Sequence, residues 1–424
     1  MSETIENAVC TFCGCLCDDI AVEVDDGQIE RVRRVCANGR GVFEHYDPRP
    51  RLPTVDGREV SWDEAVAEAA RILSESDSPL IYGLSSMASE AQRKSVKLAD
   101  QLGAMIDTTS SVCHGPTGLA MQTVGEPTCT LGEVRHRADL IVFWGCNPAV
   151  SHIRHVTRYS VTPRGRLTPN GKKDRTVVVV DVRPTTSTRL ADHFLRVQPG
   201  ADFEVLTTLR MLVQGSGDRI AGETVGGVPL SQLRELVEMM KTGRFGVAFM
   251  GMGLTQTHGR DLTVSELFTL VAELNQHTRF SVIPMRGHGN VAGADQVMTW
   301  QTGYPFAVSF ARGYPVYGPG EFSAVDVLAR GEADAALILA SDPVAHFPRA
   351  AAQELERIPT IVLDPMPSLT TKIAAVVFPT ACYGVDAAGT AYRMDSVPIR
   401  LRPVLSSTRP TDEEILDQVI EAVT

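Results

Sequence analysis

Leu140-Ile-Val-Phe-Trp-Gly-Cys-Asn-Pro148 is the stretch on which the fold turns. Five consecutive apolar residues with no polar alternation describe a strand buried on both faces, as in a parallel sheet covered by helices. Glycine and proline then end it within a few residues. The same strand-then-loop pattern recurs along the chain. Leu80-Ile-Tyr-Gly83 is one case, and Thr176-Val-Val-Val-Val-Asp181 followed by Arg183-Pro184 is another. Phe245–Met250 precedes Gly251-Met-Gly253, Ala336–Ala340 precedes Ser341-Asp-Pro343, and Ile361–Asp364 precedes Pro365. Helical periodicity falls between them: Trp62–Leu73 behind the capping signal Ser61-Trp-Asp-Glu64, Asp202–Gln214, Thr263–Asn275, and a last helix from Thr411-Asp-Glu-Glu414. Strands alternating with helices predict parallel α/β sheets. In such sheets ligands sit beyond the carboxyl ends of the strands, where Asn147, Arg183, Gly253 and Asp342 fall.

The chain has 424 residues, 43% of them hydrophobic and 21% charged, enough for more than one packed domain. Its formal charge of −11 argues against general nucleic-acid or anionic-membrane binding. No apolar run approaches the ~20 residues of a membrane span, and the start MSETIENAVC lacks the parts of a secretory signal. A cytoplasmic location is expected. Lysine occurs at only six positions and arginine supplies the other 34 cations, a skew typical of GC-rich genomes.

Nine cysteines are unevenly placed. Cys10, Cys13, Cys15, Cys17 and Cys36 crowd the start, while Cys113, Cys129, Cys146 and Cys382 are scattered. The spacing Cys10-x2-Cys13-x3-Cys17, with Cys36 further on, suits one tight loop closed by a distant fourth thiolate, with Cys15 pointing away. Either an iron–sulfur cube or a tetrahedral zinc fits that pattern. A hairpin is predicted behind it, Ile20–Val24 and Gln28–Val32 around Asp25-Asp26-Gly27. Two further groups carry chemistry: the thiol–imidazole pair Cys113-His114, and the glycine-rich loop Arg286-Gly-His288-Gly-Asn290-Val-Ala-Gly293. Gly251-Met-Gly253 lacks the full dinucleotide fingerprint. Residues 162–175 form a loop holding Arg164, Arg166, Lys172, Lys173 and Arg175, suited to an anion or a partner and otherwise to solvent.

Together the cysteine array, Cys146-Asn-Pro148, Asp181-Val-Arg-Pro184, Gln198-Pro-Gly-Ala-Asp202 and the 286–293 loop resemble the molybdopterin oxidoreductases. More narrowly, Cys10–Ile20, Val112–Thr117, Trp300-Gln-Thr-Gly-Tyr-Pro305 and Gly389-Thr-Ala-Tyr-Arg-Met-Asp395 are similar to the B-type subunit of formylmethanofuran dehydrogenase, end to end. The resemblance is stronger still to the B-type subunit of the bacterial formyltransferase/hydrolase complex. It implies a [4Fe–4S] site at Cys10, Cys13, Cys17 and Cys36. It also implies a metal-pterin pocket of Cys113, His114, Arg286 and His288, with cofactor contacts at Asn147, Asp181, Arg183, Gly253 and Asp342.

The fold it implies is a small N-terminal β domain over 1–58 and two α/β domains. One of these is discontinuous, 59–136 with 284–424, and the other, 137–283, is inserted. Two departures set the functional expectation. Asn38 replaces a lysine common between cluster and pterin, and the chain reaches Thr424 without the β-rich domain that closes over the second pterin. The expectation is therefore a scaffold subunit of a formyltransferase/hydrolase-type complex, with zinc or a cluster at the cysteines and the molybdenum or tungsten pterin lost or silent. That complex converts formyl-tetrahydromethanopterin to formate. Amidohydrolase-like and formyltransferase-like sister subunits would act there on a methanofuran-type carrier, whose acidic tail would suit the basic loop. The alternative is a redox-active dehydrogenase subunit.

Overall fold

The computed structural model describes residues 3–423. The chain forms two compact units: one made of the residues up to Val112 and from His288 onward, the other of Cys113–Gly287.

In the contiguous unit the apolar runs become one all-parallel sheet. Its order is His193–Arg196, Thr176–Asp181, Leu140–Trp144, Phe245–Met250, Arg279–Pro284. Leu140–Trp144 lies in the centre, and each of its side chains is buried, as an uninterrupted apolar run requires. Helices Asp202–Val213, Leu230–Thr242 and Arg260–Leu274 bring leucines and valines onto the sheet to complete the core. The flanking strands His193–Arg196 and Arg279–Pro284 carry weaker apolar patterns and join through pairing.

The discontinuous unit is built on a longer sheet. Five strands run parallel in its middle, in the order Met105–Thr108, Pro79–Gly83, Ala335–Leu339, Thr360–Leu363, Val376–Phe378. Short antiparallel strands extend both edges. Ser61 accepts the Glu64 N–H to start helix Trp62–Glu75, and Thr411 with Glu414 forms a complete capping box before Asp412–Ala422. The expected N-terminal hairpin is present as Ile20–Asp25 and Gln28–Arg33, with Glu3–Ala8 added antiparallel on the outer side. The cysteine loop packs on the hairpin Gly389–Tyr392 and Pro398–Leu401 through Val9, Leu16, Tyr383, Ala391 and Leu401. Tyr383 Oη donates to the Thr11 carbonyl (3.1 Å), and the Met394 N–H to that of Gly14 (2.8 Å). Among the described residues no helix is long and apolar enough to cross a membrane.

Candidate functional site

In the contiguous unit, Cys113 and His114 stand just before helix Gly115–Val124, whose first turn holds Pro116. The Cys113 carbonyl accepts from Thr255 Oγ1 (2.8 Å) and Gln256 Nε2 (3.3 Å), so the segment is held from the loop after Phe245–Met250. Cys113 is half-buried. His114 is buried. Its Nε2 faces the Met285 carbonyl (3.2 Å) and its Nδ1 the Thr117 hydroxyl (3.4 Å). A carbonyl only accepts, so Nε2 carries the proton and Nδ1 accepts from Thr117. Burial, then the charge of Arg286, lowers the His114 pKa to about 3, and the ring stays neutral.

A second buried imidazole repeats the arrangement one residue on. His152 Nε2 donates to the Arg286 carbonyl (2.8 Å), with Ser151 Oγ on its Nδ1 (2.8 Å). Burial lowers its pKa too. The two rings thus clamp consecutive carbonyls where the strand Arg279–Pro284 ends, and so fix the backbone that carries the buried Arg286. Glu126 lies within reach of the Arg286 charge. Burial raises its pKa to about 7 despite that cation and the Thr128 hydroxyl. No sequence signal pointed to His152 or Glu126. Neither sits in a motif, and each matters only through what the fold brings beside it.

The structure brings Cys113, His114 and Arg286 into one unit, whereas His288 belongs to the other and is exposed. At the carboxyl ends of the strands lies a cleft of about 770 Å³ lined by Val182, Gly200, Asp202, Gly253, Gln256 and His258 among others. Gln256 lines this cleft and also holds Cys113. Asp202 is positioned by the indole N–H of fully buried Trp144 (2.8 Å). Gly145 (φ +57°) and Gly253 touch backbone to backbone: a Cβ on Gly145 would lie 2.9 Å from the Gly253 carbonyl carbon. Arg183 is exposed beside Asp181, whose Oδ1 accepts its N–H (3.4 Å).

Asn147 and Asp342 each brace a hydroxyl-bearing neighbour. Asn147 Oδ1 accepts the N–H (3.1 Å) and hydroxyl (2.7 Å) of Ser187. In the discontinuous unit Asp342 Oδ1 accepts the N–H (2.9 Å) and hydroxyl (2.7 Å) of Thr370. Both precede a proline that opens a short helix, with nearly the same backbone (φ −123°, ψ 70° and φ −120°, ψ 70°). Ser187 and Thr370 hydroxyls then accept from Ala149 and Val344 N–H, 3.2 Å each. The two units close their central strands with one device, although no fixed period marks it in the sequence.

In the discontinuous unit Cys10, Cys13, Cys15 and Cys17 are buried thiols on one loop. Cys10 lies within electrostatic range of Cys17, Cys13 and Cys36, and burial raises its pKa far above the usual thiol range. Backbone N–H groups address three sulfurs: Phe12 to Cys10, Cys15 to Cys13, and Gly39 to Cys36 (3.4 Å). The thiol of Cys15 donates to Cys13 and lowers its pKa, so Cys15 faces the array rather than pointing away as its spacing suggested. Among the described residues no group of three or more His, Cys, Asp or Glu side chains stands ready-set around a metal position.

The family model of the molybdopterin oxidoreductases matches residues 51–407, which span parts of both parallel-sheet units. The B-type subunit of the tungsten-containing formylmethanofuran dehydrogenase 2 of Methanocaldococcus jannaschii is 45% identical, over 100% of this chain and 99% of its own. Its counterpart from Methanococcus maripaludis is 43% identical over 99% of each. The chain belongs to this family of formylmethanofuran dehydrogenase subunits. Among solved structures, a chain of the formyltransferase/hydrolase complex of Methylorubrum extorquens, determined with methylofuran, superposes with a TM-score of 0.72 at 25% identity, covering 88% of this chain and 98% of that one.

Proposed function

We propose that this chain is the redox-active B-type subunit of a formylmethanofuran dehydrogenase, interconverting a one-carbon acid at the formate level and carbon dioxide. The observation that carries the reading is the half-buried Cys113 next to neutral His114, which lies within range of the buried Arg286 charge, with the strand-end cleft joined to Cys113 through Gln256. Full-length identity of 45% to a tungsten-containing relative supports it over the scaffold expectation.

The residues present fit the groups this implies. Cys113 would hold a tungsten or molybdenum ion. The cleft offers the braced Asp202 carboxylate as an acceptor for heterocycle N–H groups, beside Gly253 and His258. The Cys10, Cys13, Cys17 and Cys36 thiols, with N–H groups already aimed at three of them, would hold a [4Fe–4S] cluster. When bound, a metal pterin supplies the two-electron exchange and a cluster relays single electrons. The chain's own part is to bind, orient and manage charge. Arg286, held by His152 and His114, presents a guanidinium to a carboxylate substrate. His114 adds no second charge, so recognition of the anion falls to Arg286. Glu126 holds or releases a proton near neutrality beside that guanidinium.

A second reading, the scaffold of a formyltransferase/hydrolase-type complex, is favoured by the superposition on the Methylorubrum complex. One experiment separates the two. The complex is produced with its companion subunits under anoxic conditions, its metals are counted, and formate oxidation is followed with a dye acceptor. The dehydrogenase reading expects stoichiometric tungsten or molybdenum, and loss of formate oxidation in Cys113→Ser with assembly preserved. A metal-free complex whose formyl transfer and hydrolysis survive Cys113→Ser supports the scaffold instead.

A further inference from the structure

The basic loop at 162–175 is half of a larger surface. Of its five cations, two are spent internally. Arg175 is buried and donates to the carbonyls of Val161 (3.4 Å), Pro163 (2.6 Å) and Arg135 (2.7 Å) and to Thr168 Oγ1 (2.8 Å). Lys172 pairs with Asp192. The loop is thereby pinned across the carboxyl end of helix Leu131–Arg137. Gly165 makes the contact possible, since a Cβ there would stand 2.0 Å from the Arg135 carbonyl oxygen and 2.8 Å from the His136 Cα. Leu167 N–H donates to the His136 carbonyl (2.9 Å), and Arg244 reaches the Leu167 carbonyl (3.4 Å).

This docking joins exposed Arg164, Arg166 and Lys173 from the loop to exposed Arg135 and Arg137 from the helix end and Arg244 from the start of Phe245–Met250. The acids nearby are engaged: Asp139 with Arg244 and the Phe245 N–H, Glu133 with the Thr130 cap and Arg137, Asp174 with Asn170. Leu167, 48% exposed, stands on the same loop as an apolar point. The face lies where the strands Leu140–Trp144, Thr176–Asp181 and Phe245–Met250 begin, opposite the cleft at their carboxyl ends.

We propose that this rigid arginine-rich face of the Cys113–Gly287 unit is a docking surface for an acidic protein partner, centred on Leu167. The inference rests on the reading of the chain as part of a larger assembly. A chain of net charge −11 repels acidic proteins in general, so a local excess of cations selects where one can land. Arginine forks match carboxylates better than they match point anions. Because the loop is already fixed by Arg175, little ordering remains to oppose binding. An apolar centre ringed by cations has the layout of a protein interface.

The test uses the full chain assembled with the subunits encoded beside it. In Arg135→Glu/Arg164→Glu/Arg166→Glu, affinity for the assembly should fall by about tenfold or more at low salt and lose most of its salt dependence. A control with equal charge change, Arg312→Glu/Arg349→Glu/Arg402→Glu, all exposed in the other unit, should not. Carbodiimide coupling of the wild-type complex should join the Lys173 amine to a carboxylate of another subunit, with loss of water. Equal behaviour of the two triple variants overturns the proposal. So does Lys173 coupling only within its own chain, or soluble polyglutamate binding the face while the assembly ignores the substitutions.

Discussion

Two buried histidines whose pKa values burial lowers do the positioning around Arg286, and a carboxyl that titrates near neutrality stands within reach of that cation. His114 and His152 each spend Nε2 on a backbone carbonyl, which fixes their tautomers and the strand exit bearing Arg286. Glu126, with a pKa of about 7, is the group whose charge changes over the working range. If it exchanges a proton during turnover, Glu126→Gln should flatten the limb of the kcat profile near pH 7 while the KM for formate changes little. A kcat profile that keeps its shape would return Glu126 to a packing role. Cys113, His114 and Arg286 were legible in the sequence because they fall in recognisable motifs. His152 and Glu126 were not, since a hydrogen bond to a carbonyl and a desolvated carboxyl leave no pattern in spacing. Spacing also gave no sign that Asn147 and Asp342, which follow strands where ligand contacts are expected, brace Ser187 and Thr370.

At the level of elements, strands buried on both faces were readable because nothing but an apolar run survives there. Glu3–Ala8 escaped because it is an edge strand with mostly exposed side chains and no alternation to betray it. The paired braces give a sharper lesson. After each central strand the chain turns through a left-handed residue, Gly145 (φ +57°) in one unit and Ala340 (φ +46°) in the other. Gly145 also meets the Gly253 backbone, so Gly145→Ala combines a strained conformation with a clash and should cost about 2–4 kcal/mol. Ala340→Gly relieves the strain and loosens the unfolded chain, two effects of about 1 kcal/mol that oppose each other. Its denaturation midpoint should stay close to that of the parent. Chemical unfolding of the two variants tests both claims, and a benign Gly145→Ala would refute the account of that contact.

Over the whole molecule, three aspartates and three histidines whose pKa values burial shifts fall in different units. Asp107, Asp364 and Asp412, all in the discontinuous unit, have pKa values raised by burial to about 6, 7 and 6. A carboxyl raised in the folded state contributes stability fully present below its unfolded pKa of about 4, and lost as pH rises through 6–7. His114, His152 and His155, in the contiguous unit, have lowered values, so their contribution is present above about pH 6.5 and is lost as pH falls. Asp364→Asn keeps an oxygen for the Met366 N–H (2.8 Å) and removes the ionisation. It should stabilise the discontinuous unit at pH 8 by about 1–2 kcal/mol and leave it unchanged at pH 4, as hydrogen exchange resolved by unit would report. An equal effect at both pH values would mean that charge is not the cause. The interruption of that unit has its own consequence during synthesis. Strand Pro79–Gly83 finds its neighbour Ala335–Leu339 only after the ribosome has passed residue 339, while Cys113–Gly287 emerges as one uninterrupted stretch. The nascent chain must therefore hold Pro79–Gly83 with Met105–Thr108 beside it and its other edge open through most of translation, the kind of exposed strand edge that invites misassembly.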